Sequence, residues 1–371
     1  MTESTILVQA PEMQARTTRR IALVCNKSPG AVDGIRDYTI QLADALGRFD
    51  GVSGAVLGRD AFDASLTGYD AVVVQYNPFM YGRWGFAPWL PAALWRARRE
   101  RGAPEIALMV HEPYVPMLDW RWTLMGLWQR SQLLALHACA DVTFASIDAW
   151  VAMLGRLRPR KPAHHLPVGS NLPDMRARRA EVRANLGATN ETVVVSAFGT
   201  AHPARQIDYV VEGANAVAGS GIPTIVQNLG AGAPDLQGLE RSVRVSQPGY
   251  QSPAALAERL AATDIFLAPF VDGVSTRRTT VMAALQHGLP IVGTDGDLTD
   301  RLFRSSSRAL QLVPVARRDL FADTALRLAL RREERETLGQ AARELYADYF
   351  DWPVIAMRLQ TCLNSREVAV L

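Results

Sequence analysis

Short runs of branched apolar residues recur along the whole chain. They alternate with stretches whose apolar positions fall three or four residues apart. The runs predict strands at 20–27, 53–58, 70–76, 105–111, 141–147 and 164–168, and a second set at 192–198, 223–229, 243–247, 264–270, 290–294 and 310–314. Few of them alternate apolar with polar residues, as expected for strands of a parallel sheet buried on both faces, and the amphipathic stretches between them supply the covering helices. Two such sets predict an α/β protein of two Rossmann-like domains with parallel sheets. The sets meet at Pro167-Val168-Gly169-Ser170-Asn171-Leu172-Pro173, ahead of an Arg-rich helix at 176–186. The expected units are a flexible polar tail at 1–18, a first domain at 19–172, a second at 173–351, and a last helix at 352–371.

Composition narrows the class without choosing a function. The chain has 371 residues, 48% of them hydrophobic and 21% charged, enough for two domains that each bury a core. A net charge of +3 is too small to argue for nucleic acid. Cys25, Cys139 and Cys362 fit no metal or redox spacing, and a reducing, cytoplasmic setting is expected. No apolar span of about 18 residues is present, and the first residues do not read as a signal peptide.

The chemistry concentrates in 264–294, DIFLAPFVDGVSTRRTTVMAALQHGLPIVGT. A buried strand enters a Gly273-Val274-Ser275 turn, a helix follows and stops at Gly288-Leu289-Pro290, and a second strand begins. Such a unit aims backbone N–H groups and a positive helix end above the sheet. Arg277 and Arg278 are expected in the first helical turn, where a purely structural helix favours Asp or Glu, and this suggests a phosphate-bearing ligand. The stretch resembles the donor-site segment of family 4 retaining glycosyltransferases, which use nucleotide sugars and have the two-domain GT-B fold. Their pattern is Glu, seven residues, Glu, then Ala-Met-Ala-x-Gly-x-Pro. Ala284-Leu285-Gln286-His287-Gly288-Leu289-Pro290 keeps its end, while Ser275 and Ala283 stand at the two glutamate positions.

The resemblance extends over nearly the whole chain. It implies an acceptor domain first, a donor domain second, and a final helix after Tyr349-Phe350-Asp351-Trp352-Pro353 that crosses back onto the first domain. Gly34, opening a helix at 36–47 after the first strand, matches a phosphate-facing turn; a structural turn glycine is the plain alternative. His111, at the end of the fourth strand in Met109-Val110-His111-Glu112-Pro113, matches a histidine near the donor sugar. Gly199 and Thr200 open the loop after 192–198, with Thr200 where the family has arginine. Arg205 matches the family's pyrophosphate-gripping lysine, and Arg277 or Arg278 would restore the missing cation. Gly273 and Val274 are assigned to the donor, and Asp272 with Ser275 to the place of the first glutamate. Asp295-Gly296-Asp297 reads as a turn, and no metal is expected because helix ends and cations position the diphosphate.

Six of the eight tryptophans lie in 84–128, interleaved with Arg83, Arg96, Arg98, Arg99, Arg101, Arg121 and Arg130. Core packing beneath solvated arginines is one reading; a surface at a membrane headgroup region is the other. The function expected is transfer of a sugar from a nucleoside-diphosphate sugar, with retention, to a glycan, lipid-linked or small-molecule acceptor. Peripheral membrane contact would run through 83–130, at the inner face. The alternatives are an inactive GT-B partner or regulatory subunit of a polysaccharide or natural-product pathway, which the lost glutamates favour, and an epimerase, for which no acid/base cluster is identifiable.

Overall fold

The computed structural model describes residues 18–26, 34–62, 66–161 and 163–368, with side chains as far as 363. The tail and the turn at Lys27-Ser28-Pro29-Gly30 therefore lie outside the described residues. The first half runs β1 (Arg19–Val24), α1 (Gly34–Leu46), β2 (Val52–Leu57), β3 (Ala71–Tyr76), α2 (Trp89–Ala97), β4 (Glu105–Val110), α3 (Trp120–Cys139), β5 (Val142–Ala145), α4 (Asp148–Leu157) and β6 (Ala163–His165). The second half begins α5 (Arg179–Asn185), β7 (Val193–Phe198), α6 (Ile207–Gly219), β8 (Thr224–Leu229), β9 (Arg244–Ser246), α7 (Pro253–Ala261) and β10 (Ile265–Ala268). It ends α8 (Thr279–Gln286), β11 (Ile291–Asp295), α9 (Arg301–Ser305), β12 (Leu310–Pro314), α10 (Arg318–Leu330), α11 (Arg332–Tyr349) and α12 (Trp352–Val368). Every predicted strand is present. The Arg-rich helix differs: its first turn, Arg176–Arg178, is 3₁₀, and α5 follows.

Among the described residues the strands form two parallel six-stranded sheets, ordered β2-β1-β3-β4-β5-β6 and β12-β11-β10-β7-β8-β9. The strand order reverses between β1 and β3 in the first sheet and between β7 and β10 in the second. At such a switch point the neighbouring loops leave in opposite directions and open a crevice at the strands' carboxyl ends.

Side chains alternate across each strand. In β1, Ile21 and Leu23 enter one core, while Ala22 and Val24 enter another on the opposite face. The first of these cores is continuous between the two halves. It runs from β1 and α1 through Leu166 and Val168 to β10, α8 and α12. In the second half, Val193, Val195 and Ala197 of β7 turn to a separate outer core with α6 and α10.

The final helix returns to the first half and packs on α1. Trp352 is its anchor. The indole sits 5.4 Å from the Tyr38 ring and donates to the Ser170 carbonyl at 2.8 Å. Gly169 lies against it so closely that a Cβ there would fall 2.8 Å from the ring. Trp352→Ala is expected to lower unfolding stability by about 3–5 kcal/mol, the range for emptying a large aromatic site. Denaturant titration checks this, and a loss below about 1 kcal/mol would mean that the indole is not the anchor.

Candidate functional site

The loops leaving β7 and β10 carry the charge of the second half's crevice. Loop 199–206 lies antiparallel to the chain after β10: Gln206 N–H donates to the Pro269 carbonyl at 3.1 Å and Val271 N–H to that of Ala204 at 2.9 Å. This pairing holds Arg205 beside Phe270. The Arg205 guanidinium donates to the carbonyls of Gly199 at 2.7 Å and Thr200 at 3.2 Å, and to Asn228 Oδ1 at 3.4 Å. All these acceptors are neutral, and no carboxylate pairs with Arg205 among the described residues. Burial lowers its pKa to about 10, so it remains charged at neutral pH. It is a desolvated cation without a counter-ion, an arrangement that favours an arriving anion.

Arg278 stacks on Phe270, its guanidinium 3.8 Å from the ring centroid. Its pKa is also lowered to about 10, first by burial and then by the Arg277 charge, with Asp272 opposing both. Asp272 is shared by the two arginines: Arg277 Nη2 reaches Oδ2 at 2.5 Å, and Arg278 Nη2 bonds Oδ1. Arg277 continues across the crevice to Glu112 Oε1 of the first half at 3.1 Å and lies 5.1 Å from the Trp150 ring centroid. Its Nε and that of Arg278 are buried without partners.

Several local expectations change at this point. The arginines are not in a first helical turn, because α8 starts at Thr279 with Arg278 at its N-cap position. The chain from 272 to 278 is instead held by contacts with the loop after β11. Gly273 has φ +84°, and a Cβ there would lie 2.1 Å from Thr299 Oγ1 and 2.5 Å from the Gly296 nitrogen. The Gly273 N–H is spent on the Phe270 carbonyl at 3.0 Å and that of Val274 on Thr294 at 2.9 Å. Ser275 is fully buried and its hydroxyl has no partner. Asp272 is neither a free turn carboxylate nor a helix cap. Asp295, at the end of β11, pairs with Arg304 at 2.8 Å.

On the first half, His111 follows β4. It is buried, with Nε2 2.7 Å from Gln75 Oε1 and its ring edge-on to Tyr38 at 4.9 Å. Burial lowers its pKa to about 3, so the imidazole is neutral. The ring nitrogen and the Gln75 amide face each other, and which of them donates follows the imidazole tautomer. Gln75 was missed from sequence although it is the polar residue of AVVVQY, a strand buried throughout. Glu112 accepts from Asn77 at 3.1 Å besides its bond with Arg277. Gly34 opens α1 and is exposed, and no atom of the described residues lies within 4 Å of where a Cβ would stand.

The two halves are sealed beside this crevice by a polar seam. Asp300, at the N-cap of α9, accepts the Asp148 N–H of α4 at 2.7 Å, and Asp148 accepts the Arg301 N–H at 3.1 Å. Each helix start is thus capped from the other domain. The Thr276 hydroxyl lies 2.6 Å from the Ser146 carbonyl, 2.8 Å from His165 Nε2 and 2.9 Å from Asp300 Oδ2. Burial raises the pKa of Asp300 and lowers that of His165. Ligand atoms of Asp148, His165 and Asp300 come within 4.8 Å of one another. Both carboxylates already accept backbone N–H groups, which makes the cluster a capping seam.

Two facing parallel-sheet halves with this crevice define the fold class: this is the GT-B fold of two-domain, Rossmann-like glycosyltransferases. The chain is similar to sucrose-phosphate synthase from Thermosynechococcus elongatus, with TM-score 0.67 and 16% identity over 95% of this chain and all of that one. Anabaena HepE, solved with UDP and glucose, gives 0.64 and 14% over 94% and all of its chain. WaaG, a glycosyltransferase of lipopolysaccharide biosynthesis, gives 0.61 and 14% over 93% and 98%. No protein-family model and no curated protein sequence matches the chain.

The depressed His111 pKa sets a pH dependence. Its folded value lies below the unfolded one, so the stability gained from the neutral ring is fully present above about pH 6.5 and is lost as pH falls toward about 3. His111→Gln removes that titration and is expected to flatten the acid limb of stability against pH. Denaturation series across that window test it; an unchanged acid limb would contradict the buried neutral ring.

Proposed function

We propose that the protein is a glycosyltransferase that takes a sugar from a nucleoside-diphosphate sugar and retains its anomeric configuration. The observation that carries this reading is the set of three guanidiniums at the β7/β10 switch point, with Arg205 lacking any carboxylate. The diphosphate sits on Arg205, Arg277 and Arg278, beside Gly199 and Thr200. Solved HepE with UDP-glucose, on the same fold, supports this donor class.

Transfer of this kind needs a stabilised leaving group and close alignment more than a strong base. The bond from the anomeric carbon to the diphosphate oxygen breaks as the bond to the acceptor hydroxyl forms, and the hydroxyl's proton passes to the departing diphosphate. Three cations lower the cost of charge developing on that group. His111, neutral at working pH, lies beside the sugar as a hydrogen-bonding group rather than an acid. Asp272 takes the place of the absent glutamate, since a carboxylate can bond two arginines and still accept sugar hydroxyls. Ser275 and the Gly273 and Val274 amides support the loop from beneath, and Gly34 faces the donor or acceptor from α1. The acceptor is a glycan, a lipid-linked sugar or a small molecule reached from the first domain, whose residues 83–130 touch a membrane. No metal is required. Among the described residues, no helix is long and apolar enough to cross a membrane.

Arg205→Ala is expected to weaken binding of a nucleoside-diphosphate sugar by ~1.5–3 kcal/mol, about 10- to 150-fold, in calorimetry. Unchanged affinity for every nucleotide sugar that binds the wild type would overturn the diphosphate assignment. Asp272→Asn keeps the side chain's shape but removes its charge. It is expected to lower turnover strongly and also to lower the melting temperature, because two largely buried arginines lose the charge they share; wild-type turnover per folded molecule would leave Asp272 as a clamp for the arginines alone. Donor binding with no turnover against any acceptor would favour the inactive subunit.

A further inference from the structure

Helix α3 has two apolar faces. Its inner face, with Gln129, Leu133 and Leu136, is buried on the first domain. Its outer positions Trp120, Leu124, Leu127 and Leu134 follow one another by four, three and seven residues and form a single exposed stripe. Solvent reaches 72% of Trp120, and Leu118, just before the helix, is 74% exposed. A helix needing only to cover its own domain would present polar residues there.

A second element joins this stripe. The loop after β3 carries Trp84 and Phe86, 64% and 59% exposed. Trp84 has φ +55°, the one non-glycine residue with positive φ among those described. Holding a tryptophan in the left-handed region costs roughly 1–3 kcal/mol, and such strain persists only where surrounding contacts impose it. Here α3 imposes it: Trp128 Nε1 and Gln129 Nε2 donate to the Trp84 carbonyl at 3.2 and 3.3 Å. Gly85 beside it leaves no room for a side chain, since a Cβ would meet Gln129 Nε2 at 2.5 Å. Backbone strain thus goes into fixing an exposed indole next to the helix stripe.

The surrounding charge selects the partner. The sequence has no Asp or Glu from Ala71 to Arg99, and from Pro113 to Ala140 it has Asp119 alone, which caps α3. Arg83 and Arg121 lie over the neighbouring Trp84 and Trp120 rings, 5.2 Å from each centroid. Indoles, leucines and acid-free arginines on a continuous face suit the interface of an anionic bilayer, where rings sit at headgroup depth and each cation adds attraction. The geometry points to loop 77–86 and the outer stripe of α3 as a docking face for an anionic lipid surface. This face leaves the same carboxyl edge of the first sheet as His111 and Glu112, and Asn77 at its base bonds Glu112. Docking there sets the crevice mouth against the bilayer. That consequence rests on the transfer reading, whereas lipid binding itself does not.

The test is co-sedimentation of the full chain with phosphatidylcholine vesicles, with and without phosphatidylglycerol, in the absence of any donor. The wild type is expected to pellet with the anionic vesicles and to be released by high salt. Trp120→Ser with Leu124→Ser should lower partitioning at least about tenfold, since two apolar side chains no longer enter the interface. Arg83→Glu with Arg121→Glu should remove the preference for phosphatidylglycerol. Melting temperatures near wild type confirm that these exposed substitutions leave folding intact. Wild-type protein that stays in the supernatant with both vesicles overturns the proposal, as does binding that neither double variant alters. Concentration-dependent self-association abolished by Trp120→Ser and Leu124→Ser, without vesicle binding, would instead assign the face to a second copy of the chain. Vesicle binding without sugar transfer would remove the transfer reading and leave this one standing.

Discussion

Two helix starts from different domains meet at one seam and cap each other. Asp300 receives the first N–H of α4, and Asp148 receives that of α9. The first N–H groups of a helix have no partner within it, so each domain supplies the side-chain acceptor for the other's helix start. Thr276 ties the same seam to Ser146 and His165. Since Thr276 immediately precedes Arg277, the seam also fixes where the two arginines stand. The crevice geometry depends on this joint.

The charge arrangement beside the seam follows one rule. Arginines are brought out of water, and their carboxylate partners are too few. Asp272 serves two of them and Glu112 reaches one from the facing domain, while Arg205 has only carbonyl and amide oxygens. Burial lowers the pKa of Arg205 and Arg278, yet both remain charged at neutral pH. Such a site is poorly balanced alone and better balanced with a polyanion. His111 shows the opposite treatment, with burial keeping it neutral.

The inner strands were legible in the sequence because a strand buried on both faces must be apolar at nearly every position, while the edge strands β2, β6, β9 and β12 are only partly covered and showed as short runs between helical stretches. Arg205, Arg277 and Arg278 were readable as cations at one edge, since charged residues just past apolar strands lie at the carboxyl end of a parallel sheet, but the bonds from Asp272 to two of them were not. The Trp/Arg segment was visible too, but its division into buried and exposed rings was not. Periodicity marks an apolar face on α3 without saying which of two such faces a domain covers.

What the sequence determined by itself was local: which segments pair as strands, which cover them, and which loops hold charge. Pairing between distant residues was decided by the tertiary structure. Nothing near Asp148 announces Asp300, and nothing near Glu112 announces Arg277, because those contacts exist only once two sheets face each other. The placement of Arg278 ahead of its helix depended in the same way on Gly273 meeting the loop at Gly296. Gln75 is an intermediate case, a polar residue in a buried strand whose need for a partner is local and whose partner, His111, is supplied by the neighbouring strand. Short-range periodicity encodes the elements; the desolvation of a few polar groups between them selects the final geometry.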